Sequence, residues 1–399
     1  ALPPPPTPAE MLPAGHLPLA RRARGPRTWQ VLAGVLAALV LALLGLVLLV
    51  VLVGATGIVG FLVGTTLAAV PAVMVVAAFL WVDRWEPEPR GLLVGVFAWG
   101  AVVAALVSAF VNTAAMQQIA IGQGRAEAMT LTPVLVAPVV EEVTKGLGVL
   151  LVVLIRRREF DGLVDGVVCA GLAAVGFAFT ENILYFGRAF LQGEAMNPGT
   201  GIVAASVLFI VRGVLSPFAH PLFTVATGIG LGIAATTSRG ALRVLAPLLG
   251  LAVAITLHAA WNLGGVAGAR GFFTGYFVVM VPLFLLAVAL VTWLRTREGR
   301  LIATHLPVYA AAGWIPPYDV AMVATMAGRR RARTWAKAWL GKRGERAMKT
   351  YQATATELAF LRDRASRADV PDFPRREHAL LQELTAQRTV LAGAGAFPG

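Results

Sequence analysis

Over most of this chain the apolar residues neither alternate nor recur every third or fourth position; they run on without polar interruption. A bilayer hydrocarbon core about 30 Å thick is crossed by about 20 residues of helix. Apolar runs of at least that length recur at 28–53, 57–82, 91–116, 129–155, 167–187, 199–236, 242–265 and 272–295. Lipid offers no partner for an unpaired peptide group, so each run is expected to form a helix. The predicted fold is therefore all-α: a polytopic membrane helix bundle of about eight transmembrane spans. The first run is too long for the apolar stretch of a signal peptide and reads as a retained anchor. Trp29, Trp81, Trp85, Tyr185 and Trp293 fall near run ends, where interfacial aromatics belong.

The run 199–236 is about 57 Å long as continuous helix at about 1.5 Å per residue, nearly twice what one crossing needs. It contains Pro217 and Pro221, and proline removes a backbone donor and clashes with the preceding turn. One long, kinked crossing is expected there.

Two flanking segments have a different texture. Residues 1–27 hold four consecutive prolines at 3–6 and four arginines, with no periodic pattern, which predicts a disordered leader. Residues 296–399 are basic, with helical patterns from Tyr318 to about Leu340, near 347–367 and near 374–391, and Asp319 as an N-cap. The expected organisation is a leader (1–27), a transmembrane catalytic bundle (28–295) and a small helical tail (296–399). The tail reads as an appendage resting its Arg and Lys side chains by the inner leaflet.

Composition sharpens this picture. Of 399 residues, 57% are hydrophobic and 14% charged, with a mean hydropathy of +0.74; soluble domains carry roughly 25% charged residues, so a water-soluble enzyme is excluded. The single cysteine, Cys169, excludes an intrachain disulfide framework and a multi-cysteine zinc site. The net charge of +13 resides at the ends: residues 31–294 contribute only +1, while the leader region contributes +3 and residues 295–399 contribute +9. No recognition motif accompanies this charge, so nucleic acid is not an expected partner. Every second loop is basic, which predicts a multi-pass protein of the plasma membrane with both termini cytoplasmic and anionic lipids near the tail.

Ionisable groups within spans are costly in lipid and mark functional sites by default. They are few here: Glu141, Glu142 and Lys145 in the fourth run, Glu181 beside Asn182 in the fifth, Arg212 and His220 in the sixth, and His258 with Asn262 in the seventh. Glu141 and Lys145 are four residues apart, as are His258 and Asn262, so each pair shares a helix face. Pro138, Pro217 and Pro221 beside these groups free backbone carbonyls that protein or water must satisfy, which favours a hydrated pocket. Carboxylates, imidazoles and an amide are the parts for activating a water and stabilising an oxyanion, hence for amide hydrolysis. Glu181, His220 and His258 supply ligands of the zinc type, yet no His-Glu-x-x-His motif is present. A zinc-dependent and a metal-free mechanism both remain open. Each piece also has a plainer reading. Glu142 with Lys145, or Glu181 with Arg212, could be structural ion pairs. Gly228, Gly230 and Gly232 read as small-residue packing, and Asp83 to Arg90 reads as a rigid turn. A proton-coupled transporter or a scaffold would use the same buried groups.

Four ordered motifs resemble the PrsW family of intramembrane proteases, in the wider superfamily of the CAAX-prenyl endopeptidases. They are Glu141-Glu142-Val-Thr-Lys145, Phe177-Ala-Phe-Thr-Glu181-Asn182, Arg212 through Pro217-Phe-Ala-His220, and His258-Ala-Ala-Trp-Asn262. The Asp83–Pro89 turn also resembles a family feature, so the likeness covers about 83–265. The resemblance implies a bacterial membrane endopeptidase that cuts a single-pass membrane protein, in the manner of the first cleavage of a membrane-anchored anti-sigma factor. It implies Glu141 or Glu142 as the water-activating base. Lys145, Glu181, His220, His258 and Asn262 would line the site, supported by Arg212 and Asn182. Prenyl endopeptidases carry His where this chain has Glu181, which makes prenyl-protein processing a poor match.

Overall fold

The computed structural model describes residues 2–11, 28–85, 87–156, 160, 162–367, 370 and 372–392, and among these there is no strand. The protein is all-α, as expected. It divides into two compact units, residues 26–290 and residues 1–25 together with 291–399.

The long helices are α1 (Thr28–Val82), α2 (Arg90–Gln123), α3 (Ala137–Ile155), α4 (Leu163–Met196), α5 (Gly201–Phe209), α6 (Ala219–Thr236), α7 (Gly240–Val266) and α8 (Val281–His305). Among the described residues, six helical segments are long and apolar enough to cross a membrane. The eight apolar runs map onto them with two differences. α1 holds two runs, separated where Gly57 takes φ 63° and ψ 168°, a backbone conformation that interrupts the helix. α3 spans 19 residues but carries Glu141, Glu142 and Lys145, which lower its apolar character. The protein is a multi-pass membrane protein.

α4 is the hub, with an unbroken buried stretch from Gly166 to Phe177. Its glycines let neighbouring backbones come to contact. A Cβ at Gly166 would lie 2.1 Å from the Gly228 carbonyl oxygen of α6, and one at Gly176 would lie 2.1 Å from the Phe97 oxygen of α2. With no hydrophobic drive between helices in lipid, such close approach is what holds them together. The reading of Gly228, Gly230 and Gly232 as packing residues matches this contact.

α5 and α6 form one kinked path along α4, broken at Ser216–Phe218 beside Pro217. Gly201 meets Gly193, Arg212 meets Glu181, Gly228 meets Gly166 and Gly232 meets Gly162. That monotonic antiparallel order makes 199–236 a single traverse of the bundle.

Among the described residues, four π-helical turns interrupt the bundle, at Trp99–Ala104, Thr132–Val136, Ile210–Leu215 and Tyr276–Met280. Such turns loosen the regular carbonyl pairing and are frequent at functional sites. Here carbonyls in three of them accept side-chain hydrogen bonds: Ala101 from Thr180 Oγ1 (2.6 Å), Pro133 from Asn262 Nδ2 (2.8 Å) and Val211 from Ser216 Oγ (2.8 Å).

The second unit contains α9 (Pro317–Val323), α10 (Met326–Arg367, broken at Gly341) and α11 (Phe373–Ala392), close to the helical patterns read from sequence. Asp319 is not the N-cap, which falls at Pro316. Its carboxylate instead accepts from Tyr351 Oη at 2.5 Å, and burial pushes its pKa up despite that bond. The leader also differs from expectation. Residues 2–8 are placed against this unit, with Pro5 buried, because prolines present carbonyl acceptors and the unit offers donors to meet them. Residues 12–27, with the leader arginines, lie outside the described residues.

Candidate active site

The fourth-run motif sits on α3 just past the π turn at Thr132–Val136. Spacing put Glu141 and Lys145 on one helix face, and the ion pair that forms is the one the plainer reading named, Lys145 with Glu142: Nζ to Oε1 is 2.5 Å, with both side chains wholly buried. Lys145 Nζ also lies 4.6 Å from the Phe177 ring centre and 3.4 Å from His220 Nδ1. Glu142 accepts two further bonds, from Thr224 Oγ1 at 2.7 Å and from His258 Nδ1 at 2.9 Å. Its oxygens are thereby committed to three donors.

Glu141 is the opposite case. Its Oε1 accepts one long bond from Asn112 Nδ2 at 3.3 Å, while Oε2 is buried without a hydrogen-bond partner. Oε2 lies 3.7 Å from His258 Nε2. A buried carboxylate oxygen left bare is expensive, so this oxygen faces a place where a donor or a cation belongs.

Glu181 on α4 holds the other imidazole. Its Oε2 is 2.9 Å from His220 Nε2 and 2.6 Å from Arg212 Nη2. Arg212, in the π turn Ile210–Leu215, forks its second arm from Nε to Asn182 Oδ1 at 2.7 Å and stacks 4.0 Å from the Tyr185 ring centre. The two imidazoles meet edge to face with centres 5.0 Å apart, and Phe223 stacks on His258 at 5.3 Å.

A common logic follows. His258 gives Nδ1–H to Glu142 and His220 gives Nε2–H to Glu181, so each ring is fixed by a carboxylate; the remaining lone pair of His258 Nε2 faces Glu141 Oε2 at 3.7 Å, while that of His220 Nδ1 is turned to Lys145 Nζ at 3.4 Å. Carboxylate-oriented imidazoles of this kind are the usual outer shell of a metal site. Glu141, His220 and His258 each offer a ligand atom within 4.8 Å of the others, and two histidines with a glutamate form a known catalytic zinc set. The residues present therefore fit a divalent ion. Glu181, read from sequence as a ligand, lies outside this trio because Arg212 and His220 occupy it; Glu141 takes its place.

Of the nine residues singled out from sequence, the structure brings eight into one connected polar network: Glu141, Glu142, Lys145, Glu181, Asn182, Arg212, His220 and His258. Asn262 stands apart. Its Nδ2 donates to the Pro133 carbonyl, tying α7 to the π turn that precedes α3. Thr224, Asn112, Phe223 and Tyr185 were missed as site residues. Thr224 is one helical turn beyond His220 and Tyr185 one turn beyond Glu181, which is the only sequence signal for either. The Asp83–Arg90 turn stays outside the network: Asp83 accepts from the Glu88 amide at 3.1 Å, and burial pushes its carboxyl up to about 7.

A polytopic helical membrane protein with a buried carboxylate–imidazole centre is thus defined by fold and site. The chain belongs to the PrsW family of intramembrane metalloproteases, whose family profile matches residues 88–287. It is also similar to the Protease PrsW of Clostridioides difficile (strain 630), at 28% identity over 165 residues, which is 41% of this chain and 62% of that protein. The chain thus spans less than two thirds of that relative. No solved structure matches.

Proposed function

We propose that this chain is an intramembrane endopeptidase that hydrolyses a peptide bond of a single-pass membrane protein. Supporting this most directly is the bare Oε2 of Glu141, facing two imidazoles that are each held by a separate carboxylate. An ion held by Glu141, His220 and His258, with zinc as the best chemical match, would polarise a water and the scissile carbonyl. The protein's own groups prepare that event. Glu142 fixes the His258 ring, the Glu181–Arg212–Asn182 set fixes His220, and Lys145 neutralises Glu142 without leaving the site. The π turns and the Pro217 break supply backbone groups that a partly unwound substrate segment can pair with, which lipid cannot do. The first cut of a membrane-anchored anti-sigma factor is the finer substrate reading. A plasma-membrane location with both termini cytoplasmic, and anionic lipid under the basic tail, accord with the charge distribution.

The test is cleavage of a single-pass substrate by the protein in lipid nanodiscs. Glu141→Gln and His258→Ala are expected to lower the rate by about 10²–10⁴-fold, and Glu142→Gln by about 10–100-fold, as an orienting group should. Elemental analysis of purified protein should find one zinc per chain, lost in His258→Ala. Undiminished cleavage by Glu141→Gln would sink the proposal, and activity with no bound metal would remove the ion alone.

A further inference from the structure

We propose that the C-terminal helical unit carries a binding groove for proline-rich segments, built around Trp314 and Arg362, with residues 3–8 of the chain as its resident ligand. The inference is independent of the buried site.

Trp314 Nε1 donates to the Pro6 carbonyl at 2.6 Å, and Arg362 Nη2 donates to the Pro3 carbonyl at 2.6 Å. The two acceptors are three residues apart. A run of prolines favours the polyproline II helix, which has three residues per turn and no internal hydrogen bonds, so carbonyls at i and i+3 face the same way. Pro5, between them, is buried. Prolines offer acceptors and no N–H, and the groove supplies donors to match. Capture of proline-rich segments through aromatic side chains is a recurring mode of peptide recognition.

The groove is preorganised for this. Arg362 stacks 5.3 Å from the Tyr309 ring centre, and its other arm donates to Glu377 at 3.0 Å, which also accepts from Tyr309 Oη at 2.5 Å. That leaves Nη2 aimed at the leader. Trp314 is positioned by Gly313, whose φ of 87° makes the turn that follows Ala312. A Cβ on Gly313 would stand 3.9 Å from Pro8 Cδ, so the leader passes in ordinary contact with this turn. The chain's Thr7-Pro8-Ala9-Glu10 closes the segment, with Glu10 accepting from the Thr7 amide at 2.6 Å. Because the leader belongs to the same chain as the groove, its binding there is intramolecular and competes with any added peptide. A proline-rich peptide can therefore enter only when the leader is weakened or displaced.

The experiment uses the full chain in detergent and a fluorescein-labelled peptide of residues 1–10 read by anisotropy. Replacing Pro3, Pro5 and Pro6 by serine within the chain should open the groove, so that this variant binds the peptide at least tenfold more tightly than the unaltered chain. Adding Trp314→Phe, which keeps a buried ring and deletes the donor, should weaken that binding at least tenfold, about 1.4 kcal/mol. Arg362→Lys keeps the charge beside Glu377 and should act in the same direction, which covers a misfolded Trp314 variant. A peptide with serine at the three proline positions should not bind. Absence of peptide binding to the serine-substituted chain with an unchanged melting curve would overturn the proposal. Equal binding by the unaltered and serine-substituted chains, or by the Trp314→Phe and Arg362→Lys variants and their parent, would overturn it too.

Discussion

Lys145 has no exposed surface, and its charge is tolerated because Glu142 stands 2.5 Å away and the Phe177 ring covers it. Removing one member of a buried pair leaves an uncompensated charge and costs about 3–5 kcal/mol, whereas removing both can be nearly neutral. Lys145→Met should therefore destabilise the bundle severely, and Lys145→Met with Glu142→Gln should recover most of that loss in a thermal unfolding series. If the double variant is as unstable as the single one, the pair is not what keeps these groups in place. The identities of the polar residues were legible from the sequence because lipid makes each one conspicuous. The pairs Glu142–Lys145 and Glu181–Arg212 were legible as well, as the plainer ion-pair reading; the contacts of Glu141 and the two imidazoles were not. Glu141 and Glu142 are adjacent, so spacing gave both a claim on Lys145. The choice was made by His258 and Thr224, whose helices approach from 116 and 82 residues away along the chain. Asn262 shares a face with His258, yet its amide is claimed by a carbonyl in a π turn that no sequence pattern announced.

At the level of elements, apolar run length located the helices well and their ends less so. α4 continues to Met196, nine residues beyond the expected 187, because Arg188 and Glu194 end the apolar pattern without ending the helix. The π turns were invisible, since a slip in hydrogen-bond register leaves no signature in hydropathy. Helix contacts through glycine are legible in principle and can be tested. A Cβ on Gly166 collides with the Gly228 backbone, so Gly166→Val should force α4 and α6 apart and cost at least about 3 kcal/mol, in line with severe overpacking. Gly45→Val, with open space around its Cα, should leave the melting temperature and expression unchanged. Similar losses at both positions would mean that the glycine contact does not govern the packing of these helices.

For the whole molecule, the unequal distribution of charge made a prediction that cysteine accessibility can check. The chain's only cysteine, Cys169, is fully buried, so single introduced cysteines report cleanly. Asn197 and Ser238 are both exposed and flank the α5–α6 path. Asn197→Cys should react with an impermeant maleimide from outside the cell, and Ser238→Cys, beside Arg239 and Arg243, only after the membrane is opened. Labelling of both from one side would refute the single kinked traverse.

The leader's seat beside Trp314 has an arithmetic corollary that owes nothing to the arginines. Two stretches of chain that touch must share a compartment, so everything threaded between residue 8 and residue 314 has to return to the side from which it set out. Only an even tally of passages satisfies that. The proposed eight passages, with the two halves of α1 taken separately and α3 included, would meet that condition.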